Sequence, residues 1–351
     1  MNFKIAINIF RKKLLQAITK VVIWDNGKST FLKDPVKVNH ILICRPNNRL
    51  GNQILISPLI QELTDIFPNS KIDLFVRGKL SALLFENYEN ISNIIKLPDR
   101  PFKNLIRYIG VWFHLRRYRY DLVINATESS SSGRLATRFA RSRTRLFCYD
   151  KSLSNKYPDS LHVAKAPIYC LRDYLANSGI DRNKKPIPRP DIKLSLSEIS
   201  KGKEILANIV GSAKETICIY TYATGDKCYS KSWWKTFYEL LKTTYGERYH
   251  ILEVLPKKNV SQIDFAESAF YSLDLREIGG LIANTRIFIG ADSGMMHLAS
   301  AVNVPTVGLF SVTDPAGYGP YNKNSTAINT THISFEEILK VVDAILRKTD
   351  E

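Results

Sequence analysis

The run Ile287-Phe288-Ile289-Gly290-Ala291 reads as a buried strand that breaks into Asp292-Ser293-Gly294 and then into the helical Met295-Met296-His297-Leu298-Ala299. A strand that ends in a tight polar turn and opens a helix makes an anion site, because first-turn amides are unpaired and the helix dipole is positive there. Gly294 would let the backbone approach a phosphate closely, and the Ser293 hydroxyl could donate to a phosphate oxygen. Taken singly, Asp292 has a plainer part as helix N-cap, and His297 as a satisfied residue inside the helix. A second buried strand follows at Val304-Pro305-Thr306-Val307-Gly308-Leu309-Phe310, and it too delivers a polar loop, Ser311-Val312-Thr313-Asp314-Pro315. Both loops fall at the crevice edge where α/β folds bind ligands.

Three other segments carry polar groups beside strands. Arg45-Pro46-Asn47-Asn48-Arg49-Leu50-Gly51-Asn52-Gln53 is a strand end, a glycine-containing turn and a helix start. Asn125-Ala126-Thr127-Glu128-Ser129-Ser130 follows a strand whose C-terminal end should face the same cleft, although Glu128 alone is an ordinary loop glutamate. Thr224-Gly225-Asp226-Lys227-Cys228 follows another strand, and Lys227 by itself is a surface-loop lysine.

The elements that must position these residues alternate between short β-branched or aromatic runs and longer helical patterns, which indicates an α/β protein with mainly parallel sheets. In the first half, strands are expected at 40–45, 71–76, 93–97, 121–126 and 144–147, with helices at 50–67 and 102–117. Residues 181–190 combine three prolines with charge and cannot continue a helix or a central strand, so they read as a linker. Beyond them come strands at 216–220, 250–254, 286–289 and 306–310, helices at 233–243 and 275–284, and a closing amphipathic helix at 335–347. The expected division is an extension at 1–37, a first Rossmann-like domain at 38–180, the linker, a second Rossmann-like domain at 191–330, and a C-terminal helix at 331–351.

The Asp292-Ser293-Gly294-Met295-Met296-His297 element and the Thr313-Asp314-Pro315 loop, at this separation, resemble the glycosyltransferase family that contains the ADP-heptose:lipopolysaccharide heptosyltransferases (family 9). Thr224 to Trp234 looks like that family's lysine-bearing segment, with Lys227 at the phosphate-binding position. The resemblance spans roughly residues 38 to 330 and implies a GT-B fold of two facing Rossmann-like domains, with the last helix crossing back to the first. It implies a donor site of Thr224, Lys227, Asp292, Ser293, Gly294, His297, Thr313 and Asp314. An ammonium beside a diphosphate would neutralise leaving-group charge as the sugar bond breaks. Arg49, Gly51, Asn52 and Arg134 are the candidate acceptor residues. Neither cofactor nor divalent metal is expected, and the nucleotide-diphosphate sugar is a co-substrate.

One position departs from the family pattern. The family's catalytic base is the Asp of a Gly-Asp pair, and this chain has Asn52, which cannot usefully take up a proton at neutral pH. Either Asn52 positions the acceptor while another carboxylate, for which Glu128 is the candidate, acts as base, or proton removal is unassisted, or activity is lost. Asn52, Glu128 and Lys227 are therefore the catalytic candidates.

Composition sets outer limits. A chain of 351 residues with 44% hydrophobic content can bury a large core. A net charge of +17 favours anionic partners, and between Arg100 and Arg145 eleven Arg and Lys face only Asp121 and Glu128. Five scattered cysteines indicate neither a disulfide framework nor a zinc site, which fits a cytoplasmic chain. Residues 1–24 space Phe3, Ile7, Phe10, Leu14, Ile18 and Val21 helically among basic residues, suiting either an interfacial membrane helix or one docked on the protein. The leading reading is an inverting transfer of a heptose-like sugar to a glycolipid or polysaccharide acceptor, peripheral to the inner face of the membrane and with no nucleic acid as partner. The alternatives are a catalytically impaired sugar-nucleotide binder, a fucosyltransferase suggested by Leu50-Gly51-Asn52-Gln53, and a basic nucleic-acid-binding protein.

Overall fold

The structure is a computed structural model that describes residues 38–99, 105–127, 130–148, 153–182 and 184–348. The N-terminal segment singled out above lies outside them. The first half contains β1 (His40–Cys44), α1 (Leu50–Ile54), α2 (Ser57–Ile66), β2 (Lys71–Arg77), α3 (Leu80–Leu84), β3 (Ile91–Leu97), α4 (Leu105–Leu115), β4 (Arg119–Asn125), α5 (Ser131–Phe139), β5 (Arg141–Phe147), α6 (Leu153–Lys156) and α7 (Ala166–Ala176). Its five strands are all parallel, in the order β3-β2-β1-β4-β5. The central strand β1 runs Ile41-Leu42-Ile43-Cys44, each at most 1% exposed, because helices cover both faces of a parallel sheet.

The second half contains α8 (Leu196–Val210), β6 (Glu215–Tyr220), α9 (Lys231–Tyr245), β7 (Tyr249–Val254), β8 (Ser268–Phe270), α10 (Leu275–Ile282), β9 (Ile287–Ala291), α11 (Gly294–Ala301), β10 (Thr306–Phe310), α12 (Pro315–Tyr318), β11 (Thr326–Asn329) and α13 (Phe335–Lys348). Its sheet is again all parallel, in the order β11-β10-β9-β6-β7-β8. In both sheets the strand order reverses direction beside the first strand of the series, at β1/β4 and at β6/β9. Those switch points are where open α/β sheets receive ligands.

Three features join the halves. The apolar core continues from α1, α2 and the first sheet into α10 and α11 of the second half. Arg276 on α10 donates to Leu83 O (3.3 Å), Ile192 O (3.1 Å) and Lys193 O (3.1 Å), and pairs with Glu198. That guanidinium, together with the backbone and hydroxyl of the cap residue Ser195, pulls the Glu198 carboxyl down to about 2. The proline-rich segment is also pinned: Arg172 of α7 forks onto Glu62 of α2 (2.9 and 3.0 Å) and reaches Lys185 O and Pro186 O, while Tyr321 OH donates to Pro188 O at 3.0 Å.

Two expectations need correction. The single helix expected over 50–67 is two helices, since the chain turns at Leu55 and Ile56 before Ser57 and Pro58 start α2. The last helix does not return to the first half. Ile338, Val342, Ile345 and Leu346 of α13 pack with Trp234, Phe237 and Tyr245 of α9 over the second sheet, Phe335 stacks on Phe237, and Tyr245 OH donates to Leu339 O at 3.2 Å. The apolar stripe is satisfied by the nearest open sheet face, so nothing draws it further.

Candidate functional site

Because β6, β9 and β10 are adjacent and parallel, their C-terminal loops emerge along one edge. The β6 loop makes a tight turn at Gly225–Lys227, which Gly225 permits with φ 66°. This presents Lys227 to the β9 loop, where its ammonium pairs with the Asp292 carboxylate. Asp292 is 6% exposed and Lys227 31%, so the carboxylate is fixed while the ammonium keeps an open side. From the β10 loop, the Tyr318 ring lies 5.7 Å from the ammonium.

The N-cap of α11 is Ser293, whose Oγ accepts from Met296 N at 3.4 Å. Asp292 is thereby released from capping to hold Lys227, which is not the plainer part its position suggested. Asp314 does take a capping part, accepting from Ala316 N at 2.9 Å at the start of α12. Thr224 and Asp314 are exposed and Thr313 half-buried on the same two loops.

Gly294 serves a different purpose from the one its place in the turn suggested. A Cβ there would lie 2.7 Å from Leu50 Cβ, so the glycine lets α11 close against α1 of the other half. Gly51 does the reciprocal job, since a Cβ there would lie 2.4 Å from His297 Cδ2. His297 is buried, and burial, the largest influence, pushes its imidazole down to about 4. The Asp292 charge opposes that shift, while His162, Lys227 and Arg45 add to it. The ring is neutral at pH 7, and the groups acting on it come from four separate stretches of the chain.

The first half contributes a group the sequence reading did not single out. Arg45, at the end of β1, is 3% exposed and donates to Ala126 O (3.1 Å), Val163 O (3.4 Å) and Asn52 Oδ1 (3.0 Å). Burial lowers its guanidinium to about 10, which leaves it charged at neutral pH. Asn52 is thus held by its side-chain oxygen. His162 was also missed. Its Nδ1 accepts from Ala164 N (3.2 Å), which leaves Nε2 as the donor to Gly319 O (2.9 Å), and burial drives it to about 4. Neither residue had a local signal that placed it here, because Ala126 and Val163 for Arg45, and Gly319 for His162, lie far away in sequence.

Not every candidate joins this cluster. Glu128 lies outside the described residues. Arg49 is exposed at the start of α1, and Arg134 on α5 bonds Ser131 Oγ of its own helix at 3.3 Å. Among the described residues, no group of three or more His, Cys, Asp and Glu could hold a metal ion.

The profile of glycosyltransferase family 9 (heptosyltransferase) matches residues 109–341. The chain is 23% identical over 297 residues to lipopolysaccharide heptosyltransferase 3 of Escherichia coli, covering 78% of this chain and 84% of that protein. Among solved structures it is similar to a family 9 glycosyltransferase from Veillonella parvula, with TM-score 0.70 and 17% identity over 90% of this chain and 99% of that one. It is also similar to an Escherichia coli heptosyltransferase solved with ADP, with TM-score 0.63 and 17% identity over 87% of this chain and 99% of that one.

Proposed function

Because the chain belongs to glycosyltransferase family 9, the heptosyltransferase family, we propose that it moves a heptose-like sugar, with inversion, from a nucleotide-diphosphate donor to a lipopolysaccharide or related glycan acceptor. The enzyme is a GT-B glycosyltransferase. The observation that carries the finer reading is the Lys227–Asp292 pair beside the N-terminus of α11. An ammonium held at a helix start with one side open is suited to a diphosphate, both as it binds and as it leaves with the electron pair of the sugar bond. The ADP held by the similar Escherichia coli enzyme supports an adenine nucleotide.

In this reading the acceptor hydroxyl attacks the anomeric carbon from the face opposite the diphosphate. A new carbon–oxygen bond forms, the bond to the phosphate oxygen breaks, and the hydroxyl proton goes to a base. Asn52, held by Arg45, positions the hydroxyl through its amide nitrogen. Glu128 is the proposed base, from the loop after β4. His162 has both ring nitrogens engaged and is not available for that task. Work on a membrane-bound acceptor would place the enzyme on the inner face of the cytoplasmic membrane, peripherally. Among the described residues, no helix is long and apolar enough to cross a membrane.

A panel of nucleotide sugars tested by thermal shift examines this directly, because a ligand at about 100 times its Kd adds about 2.7 kcal/mol of stability. The expected result is a clear rise with ADP-activated sugars and with ADP. No rise with any nucleotide or nucleotide sugar would count against the donor site.

A further inference from the structure

Helix α4 is apolar nearly all round. In Leu-Ile-Arg-Tyr-Ile-Gly-Val-Trp-Phe-His-Leu, only Arg107 and His114 are charged or titratable apart from Tyr108. Such a helix belongs in an interior, yet α4 lies on the surface. Tyr108, Val111, Trp112 and Leu115 pack inward against Phe75, Val123 and Phe139, which satisfies one face. On the other face Ile106 is 89% exposed, Ile109 45% and Phe113 69%. These three recur at helical spacing, and a Cβ on Gly110 beside them would meet nothing within 4 Å. A contiguous apolar stripe on one helix is not the scattered exposure that any surface shows.

Positive charge frames the stripe. Arg107 is exposed on the helix, and Arg116, Arg117 and Arg119 follow its end. Arg141, also exposed, is the register partner of Arg119 on the neighbouring strand, so two like charges stand side by side. That arrangement favours an anionic partner. The N-terminal segment of this chain carries Lys4, Arg11, Lys12, Lys13 and Lys20, and a second copy of the chain carries +17. Both would bring cation to cation. An anionic bilayer supplies apolar depth for the stripe and negative headgroups for its rim.

We propose that the Ile106–Ile109–Phe113 face of α4, with Arg107, Arg117, Arg119 and Arg141, docks the enzyme onto an anionic lipid surface. The proposal rests on the glycolipid-acceptor reading for its purpose, though vesicle binding is measured without it. Helix α4 follows β3 and runs antiparallel to the strands, so its N-terminal end lies near the sheet edge that bears Arg45 and Asn52. Seating it in the headgroup layer would bring a membrane-anchored acceptor to the mouth of the cleft.

The test is sedimentation of the full chain with phosphatidylglycerol-containing vesicles and with phosphatidylcholine-only vesicles. Wild type should bind the former and not the latter. Ile106→Ser/Phe113→Ser and Arg117→Glu/Arg119→Glu should each weaken binding about tenfold or more, with unfolding temperature and ADP affinity unchanged because these side chains are exposed. Wild-type binding by both double variants would overturn the proposal. So would loss of binding on reversing Lys12 and Lys13 alone, which would assign the contact to the N-terminal segment, or a wild-type dimer dissociated by the serine variant, which would assign the face to a second copy. A wild-type protein that binds the vesicles through this face but transfers no sugar to a glycolipid acceptor would count against the acceptor reading and leave the docking face standing.

Discussion

Replacing Asn52 by aspartate puts a carboxylate against a buried guanidinium that, among the described residues, has neutral hydrogen-bond partners only. Arg45 donates to two carbonyls and to Asn52 Oδ1 at 3.0 Å, and no carboxylate is among its partners in the described residues. Burial brings its guanidinium down from its ordinary value to about 10, which corresponds to a penalty on the order of 3 kcal/mol for keeping the charge in the folded state. Asn52→Asp converts a hydrogen bond with one charged member into a partly buried ion pair. After the carboxylate's own desolvation, a gain of about 1–2 kcal/mol remains, and Tm should rise by about 1–4 °C. The new carboxyl would be held below its unfolded value of about 3.9. Its contribution is therefore full above about pH 5 and disappears as pH falls through the folded value. Thermal unfolding of wild type and variant between neutral and acid pH reads this directly. A carboxylate pinned in that way is a weak base, so transfer activity should change less than about tenfold. An unchanged or lower Tm at neutral pH would refute the electrostatic argument, and a sharp rise in activity would place the base at position 52.

Gly294→Val should lower both donor affinity and stability, because its side chain meets Leu50 at a distance of 2.7 Å from the first added atom; trimming with Leu50→Ala should restore stability more than affinity, as calorimetry and thermal melts would show. Glu128→Gln should lower kcat by about 10²- to 10⁴-fold with donor affinity nearly unchanged, whereas Asn52→Ala should act chiefly on acceptor KM; steady-state kinetics with both substrates separate the two. His162 and His297 are each held neutral down to about pH 4 by burial, while the unfolded chain takes up these protons near pH 6.5. Stability should therefore be full above about pH 6.5 and fall as pH drops toward 4, and His162→Gln should flatten part of that slope in denaturant titrations.

The alternation of strands and helices was legible because the central strands are largely buried on both faces and so read as mainly apolar runs, unbroken in Ile287 to Ala291. The two strands that went unseen, β8 and β11, are edge strands of three and four residues, Ser268–Phe270 and Thr326–Asn329, defined by their neighbours rather than by their own residues. The phosphate-type turn at Asp292 to Gly294 was visible as a local pattern. What each residue does within it was not. Whether Asp292 or Ser293 caps α11 depends on Lys227, 65 positions away, and the need for glycine at 294 arises from Leu50 in the other half. Arg45 was hidden for the same reason, since a basic residue at a strand end acquires meaning only from the carbonyls of Ala126 and Val163.

The central claim is that a nucleoside diphosphate sits between Lys227 and the start of α11, and calorimetric titration of ADP into wild type and Lys227→Ala tests it most directly. Removing one charge-assisted contact of about 1.5–3 kcal/mol should weaken ADP binding by about 10- to 150-fold in a variant that remains folded. Equal affinity in the two proteins would contradict the claim.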